Sequence, residues 1–173
     1  MADINEGYAY FTDGDIDTSA GTITNYNALV PVKLIDVEDD INNDAKTMPI
    51  PLSPQASETT KTYIINLRKI KQSLKFTGEI ISSDATNTWL RYKKLLLYLA
   101  GKTHHPDDTN LYYKDEVKVV WKTPEGYQTS QGVLSKMLFK ETSALSWKVV
   151  TDYTKQLPNL IKCTIQLISG DIR

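Results

Sequence analysis

The sequence predicts a mainly β, α+β chain: a small antiparallel split β-barrel or sandwich with one flanking α-helix and an extended N-terminal arm. Three observations lead there. Apolar residues between Tyr63 and Ile81 fall at even spacing, the period of a strand. One segment, near residues 84–101, carries a helical stripe. Helix and strands do not alternate along the chain, which argues against a doubly wound parallel sheet.

Residues 1–60 read as an acidic, extended arm. Short apolar pieces, Tyr8-Ala9-Tyr10-Phe11 and Ala28 to Ile35, are separated by Gly, Asn, Thr and Asp. Residues 28–35 have strand character and need a partner sheet, their own or a neighbour's. Pro49-Ile50-Pro51-Leu52-Ser53-Pro54 is extended because each proline fixes its own φ and pushes its predecessor out of the helical region. It reads as a linker or a clamp strand.

Residues 61–173 read as a basic β-barrel domain. In the first strand Ile70, Leu74, Phe76 and Ile80 share one face, and Lys69, Lys71 and Lys75 the other. Its nineteen residues exceed an ordinary strand, so a bend or bulge is expected near Gly78 or Ile70. The helix is predicted over 84–101, capped by Ser83 or Asp84, with Trp89, Tyr92, Leu95, Leu96 and Leu99 on its apolar stripe and Gly101 ending it. Thr103 to Asn110 reads as a flexible polar loop. Glu116–Trp121 and Tyr127–Glu141 read as a hairpin around the turn Thr123-Pro124-Glu125-Gly126. Trp147–Val150 and Leu160–Ile168 read as further strands.

The formal net charge of −1 conceals a segregation. Residues 1–60 carry 11 acidic residues against Lys33 and Lys46, and residues 61–173 carry 18 basic against 10 acidic. Opposite charges parted in this way attract, within a subunit or between neighbours. No apolar run approaches the ~20 residues that cross a bilayer, so no membrane partner is expected. The acidic, polar start Met1–Glu6 lacks the basic-then-apolar order of a secretory leader, which points to a cytoplasm. The single cysteine, Cys163, alternates with Ile161, Ile165 and Leu167 and reads as buried and structural.

Residues capable of chemistry are sparse. Phosphate-binding and nucleophile-elbow glycine motifs are absent. His104-His105 with Asp107 and Asp108 is the one conceivable transition-metal group, with no helix or strand spacing to preset its geometry. Asp13-Gly14-Asp15-Ile16-Asp17 resembles the opening of a calcium loop but lacks the later glycine and glutamate. These features predict no catalytic residue, no metal and no cofactor. Arg68, Lys69, Lys71 and Lys75 near Tyr63 and Phe76 leave a second reading open, a small barrel that binds single-stranded nucleic acid.

The run Tyr63-Ile64-Ile65-Asn66-Leu67-Arg68-Lys69-Ile70-Lys71-Gln72-Ser73-Leu74-Lys75-Phe76-Thr77-Gly78-Glu79-Ile80, the lysine-bearing helix from Trp89 to Gly101, the hairpin Val119-Val120-Trp121…Gly126-Tyr127 and the closing strand Cys163 to Gly170 follow one another in an order. Over residues 60–171 that order resembles the tail-tube, distal-tail and related baseplate proteins of tailed viruses. The resemblance implies a split barrel with one helix, assembly into homo-oligomeric rings, commonly hexameric, and contact with other tail proteins. It implies a virion location after assembly in the host cytoplasm, and a lumen through which a genome could pass. The long acidic arm departs from the shortest members. On this reading the arm fastens to a neighbouring barrel, and the expected interface residues are Leu29, Val30, Val32, Leu34, Asp36, Glu38, Asp39 and Asp40 on the arm, with Arg68, Lys69, Lys71 and Lys75 on the barrel.

Overall fold

The computed structural model describes residues 1–49, 62–81, 88–112, 114, 116–141, 147–149, 156–158 and 160–169. In chain order these form β1 (Ala2–Asp3), β2 (Tyr8–Thr12), β3 (Asp15–Asp17), β4 (Thr22–Thr24), β5 (Leu29–Pro49), β6 (Thr62–Ile81), α1 (Thr88–Leu99), β7 (Val117–Thr123), β8 (Gly126–Glu141), β9 (Trp147–Val149), β10 (Gln156–Pro158) and β11 (Leu160–Ser169). The predicted helix start at 84 and the proline-bearing stretch 50–54 lie outside the described residues.

Six strands close a barrel in the order β11-β6-β5-β2-β7-β8, every pair antiparallel. Alternation decides which side chains enter it. Phe11, Val30, Val32, Phe76, Val119, Ile165 and Leu167 are completely buried, and their sequence neighbours face outward. Phe76 stands edge-on between Phe11 and Trp121, with ring centroids 5.3 and 5.2 Å away. Such T-shaped contacts place the positive ring edge on the negative face.

The predicted arm is therefore corrected. Residues 8–12 and 29–41 are barrel strands of their own chain, and β5 lies between β2 and β6. Without them the sheet could not close. The division at residue 60 does not follow the structure, because β5 and β6 on either side of it form the most extensive strand pair. The sequence reading failed here because Tyr8 to Phe11 is short and apolar throughout. Three of its four residues are buried, Tyr10 under a second, outer sheet.

That outer sheet has the order β1-β4-β3. It packs Ile4 and Ile23 on Tyr10 and Val120, which point out of the barrel. Tight turns make it, with Gly7, Gly21 and Asn25 in the left-handed region. Remaining short strands β9 and β10 pair with each other.

Helix α1 enters the core through Leu95, Leu96, Tyr98 and Leu99. It ends as predicted at Gly101, φ 68°. The Gly101 amide donates to Tyr98 O and the Lys102 amide to Leu97 O, so two terminal carbonyls are satisfied. On its outer side Lys93 lies 5.6 Å above the Phe139 ring, and Arg91 pairs with Asp107 at 2.7 Å.

The irregularity expected in the 63–81 strand is present near Ile70, and a second one, opposite Gly78, lies on its partner β5. Ile35 is an extra residue on β5 where Leu34 pairs with Gly78 and Asp36 with Thr77. A second shift lies where Asn43 pairs with Ile70 and Ala45 with Asn66. Beyond it β5 and β6 leave the barrel. β11 covers β6 over 72–81 and β2 covers β5 over 29–33, so among the described residues 42–49 and 62–71 pair with each other alone. They form a two-stranded ribbon.

Candidate assembly surface

The twelve residues expected at an interface separate into three groups. Val30 and Val32 are wholly enclosed in the barrel, Leu34 packs against that core, and Leu29 packs under the outer sheet. All four pack within their own chain; Val30 and Val32 expose nothing to a neighbour, which corrects the expectation for those two, while Leu29 and Leu34 are half-buried. Asp36, Glu38, Asp39 and Asp40 are exposed on β5. Arg68, Lys69 and Lys71 lie on the ribbon part of β6, where the backbone alone is described, while Lys75 faces β5 from the barrel part.

Much of the charge segregation is resolved inside the chain. Lys75 Nζ donates to Glu38 at 2.9 Å across the β5–β6 pair. Lys122 pairs with Glu6 at 2.6 Å and Lys118 with Asp15 at 3.6 Å, both joining β7 to the N-terminal segment. The Gln72 amide donates to Asp39 at 2.9 Å. A strand pair that brings residues 29–49 against 62–81 converts sequence segregation into cross-strand neighbours. The Lys122 hydrogen bond and charge hold the Glu6 carboxyl below its ordinary value, and Glu6 in turn raises Lys122. Asp15 is lowered first by the Asn25 amide and then by Lys118.

Two carboxylates of the acidic motif at 13–17, Asp13 and Asp17, are committed to backbone amides. Asp13 accepts from the amides of Asn27 and Ala28 at 2.9 Å each, and Asp17 from those of Ser19 and Ala20. His105 is buried rather than part of a mobile loop, correcting the sequence reading. Its Nε2 donates to Asn27 O at 2.9 Å, which leaves Nδ1 to accept from the Asp107 amide at 3.2 Å. Both ring nitrogens are thus occupied. Among the described residues no three His, Cys, Asp or Glu side chains converge as a metal group. Cys163 is buried as expected, and burial, with Glu79 adding, pushes its thiol up to about 12.

A cleft of about 850 Å³ opens where β11 ends. Ser169 there pairs with both Gln72 and Gly132. Gln72, Gln128, Ser130, Asp39 and Ser169 line it above Leu74 and Trp121. The Ser130 hydroxyl donates to Ser169 at 3.0 Å. Charged groups also line it: the Asp39 carboxylate accepts from the Gln72 amide, and Lys118 pairs with Asp15. No helix among the described residues is long and apolar enough to cross a membrane.

Exposed apolar side chains sit elsewhere. Ile35 is 59% exposed and Leu138 55%, on the outward faces of β5 and β8. No sequence signal short of the strand register could have found them, because exposure there follows from parity and from the bulge at Ile35. No protein-family model matches the chain, and no curated protein matches it.

Proposed function

We propose that the protein is a non-catalytic structural subunit of a viral tail, acting by homo-oligomeric assembly into a ring. The observation that carries this reading is the ribbon. An isolated two-stranded hairpin is marginal in water, yet here residues 42–49 and 62–71 continue past the closed barrel with no third strand among the described residues. A rigid barrel bearing such an extension suits a subunit whose extension is completed by a neighbour. The closed antiparallel barrel with one helix agrees with the tail-protein resemblance. Partners on this reading are copies of the chain and other tail components, and its place is the virion.

The nucleic-acid alternative gains no comparable support. Single-strand binders display aromatic rings beside cations. Phe76 is fully buried and Lys75 is paired with Glu38.

Ribbon removal tests the proposal. Asn42 and Lys71 are direct partners, so residues 43–70 can be replaced by an Asn-Gly turn that closes the hairpin. The shortened chain should fold and remain monomeric by light scattering, while the full chain forms a ring-sized species. Equal masses for the two would count against the reading.

A further inference from the structure

At the mouth where β11 ends, the barrel's inward positions change from apolar to polar. On β6 the inward phase passes from Phe76 and Leu74 to Gln72, and on β11 from Ile165 and Leu167 to Ser169. On β8 Gln128 stands directly opposite Trp121 across the β7–β8 pair. Amides and hydroxyls outnumber charged groups along the walls of the resulting cleft, and Leu74 with the half-buried Trp121 gives it an apolar base. Several wall groups are already positioned. The Gln72 amide donates to Asp39 at 2.9 Å, which fixes the amide plane. Ser130 donates to Ser169 at 3.0 Å, and a hydroxyl that accepts still has its own proton to give.

We infer that this cleft binds a neutral, hydroxyl-rich ligand of the size of a short saccharide. The inference goes beyond the ring reading and does not depend on it. A volume of about 850 Å³ lies within the range of small-molecule sites, about 300–1,000 Å³. An anion fits poorly: among the described lining residues the cation is Lys118, which pairs with Asp15 at 3.6 Å, and Asp39 adds a second carboxylate. A wholly apolar ligand would cover the glutamine and serine groups without giving them partners. A sugar hydroxyl both donates and accepts, as a side-chain amide does, and the carbon face of a sugar ring can lie on Leu74 and Trp121. The consecutive residues Gln128 to Gln131 also line the cleft, so the edge of β8 is open to it. An extended peptide could add there, but strand addition selects through pockets for alternate side chains, whereas these walls carry amides and hydroxyls.

Binding to the full chain tests it. The probes are an array of neutral oligosaccharides of glucose, galactose, mannose and N-acetylglucosamine, their sulfated counterparts, and a set of random heptapeptides. The best neutral oligosaccharide is then titrated calorimetrically against the parent, Gln72→Leu and Gln128→Leu. Gln128 is exposed, so its replacement spares the core, and folding of each variant is verified by an unreactive Cys163. A neutral oligosaccharide should bind, with an affinity unchanged between about 0.05 and 0.5 M salt because no ion pair carries it. Each variant should lose about tenfold, the effect of one hydrogen bond left unpaired. Binding of sulfated probes or peptides in preference to neutral ones overturns the inference, and so does binding of none. Folded variants that bind the oligosaccharide as the parent does overturn its assignment to this cleft.

Discussion

At the scale of single residues, enclosure decides most behaviour. Tyr98 is fully buried, and among the described residues its hydroxyl has no hydrogen-bond partner of good geometry, although the Asp13 carboxylate lies nearby. Burial raises its pKa, with the nearby Asp13 carboxylate adding. An unsatisfied buried hydroxyl costs about 1–3 kcal/mol, so Tyr98→Phe should leave stability unchanged or raise it by up to about 1 kcal/mol in urea denaturation. Phe76→Ala should cost about 3–5 kcal/mol, since it empties the space between Phe11 and Trp121. Cys163, pushed up to about 12, should stay unreactive towards a thiol reagent at pH 8 until the protein unfolds. The exposed pairs set a pH window. Glu6 and Asp15 have lowered folded values, so their contributions are present above their ordinary values of 4.5 and 3.8 and are lost as pH falls through the folded ones. Lys122 is raised, so its share is complete below 10.5 and lost at higher pH. The double variant Glu6→Gln/Asp15→Asn should melt earlier than the parent at pH 7 and together with it at pH 2.

At the scale of elements, the constraint is where strands change partners. β8 pairs with β7 up to Gly132 and with β11 from Gly132 onward. A Cβ at Gly132 would collide with the Ile168 carbonyl oxygen. Gly132→Ala should therefore destabilise strongly, lowering Tm by several degrees, whereas Gly126→Ala meets no neighbour and is limited by its φ of 126° alone. Elements with one consistent period were legible from the sequence: Leu74, Phe76 and Ile80 on β6, the α1 stripe with its Gly101 stop, and the alternation around Cys163. Partnership was not legible. Residues 29–35 carried a strand signal, but nothing local told whose sheet they would join, since pairing between β5 and β6 spans more than thirty positions at its base. The three-residue strands of the outer sheet rest on Ile23 and Ile4, too short a run to show a period.

At the scale of the whole molecule, the charge segregation along the chain proved legible and its cause did not. The acidic third and the basic remainder meet chiefly across β5–β6 and β2–β7 of one barrel, through Glu38–Lys75, Glu6–Lys122 and Asp15–Lys118. On the ring reading, what remains for partners is the ribbon. Of the twelve interface candidates, the acidic ones on β5 are exposed, and Val30 and Val32 belong to the packed interior. On the ring reading, such a chain gains from neighbours by completing the ribbon.

Electron-microscope class averages of the purified full-length chain at low salt test that account most directly. It predicts closed rings in which each barrel touches two others and the ribbons lie against adjacent subunits. Fields of separate, single barrels at micromolar concentration would contradict it.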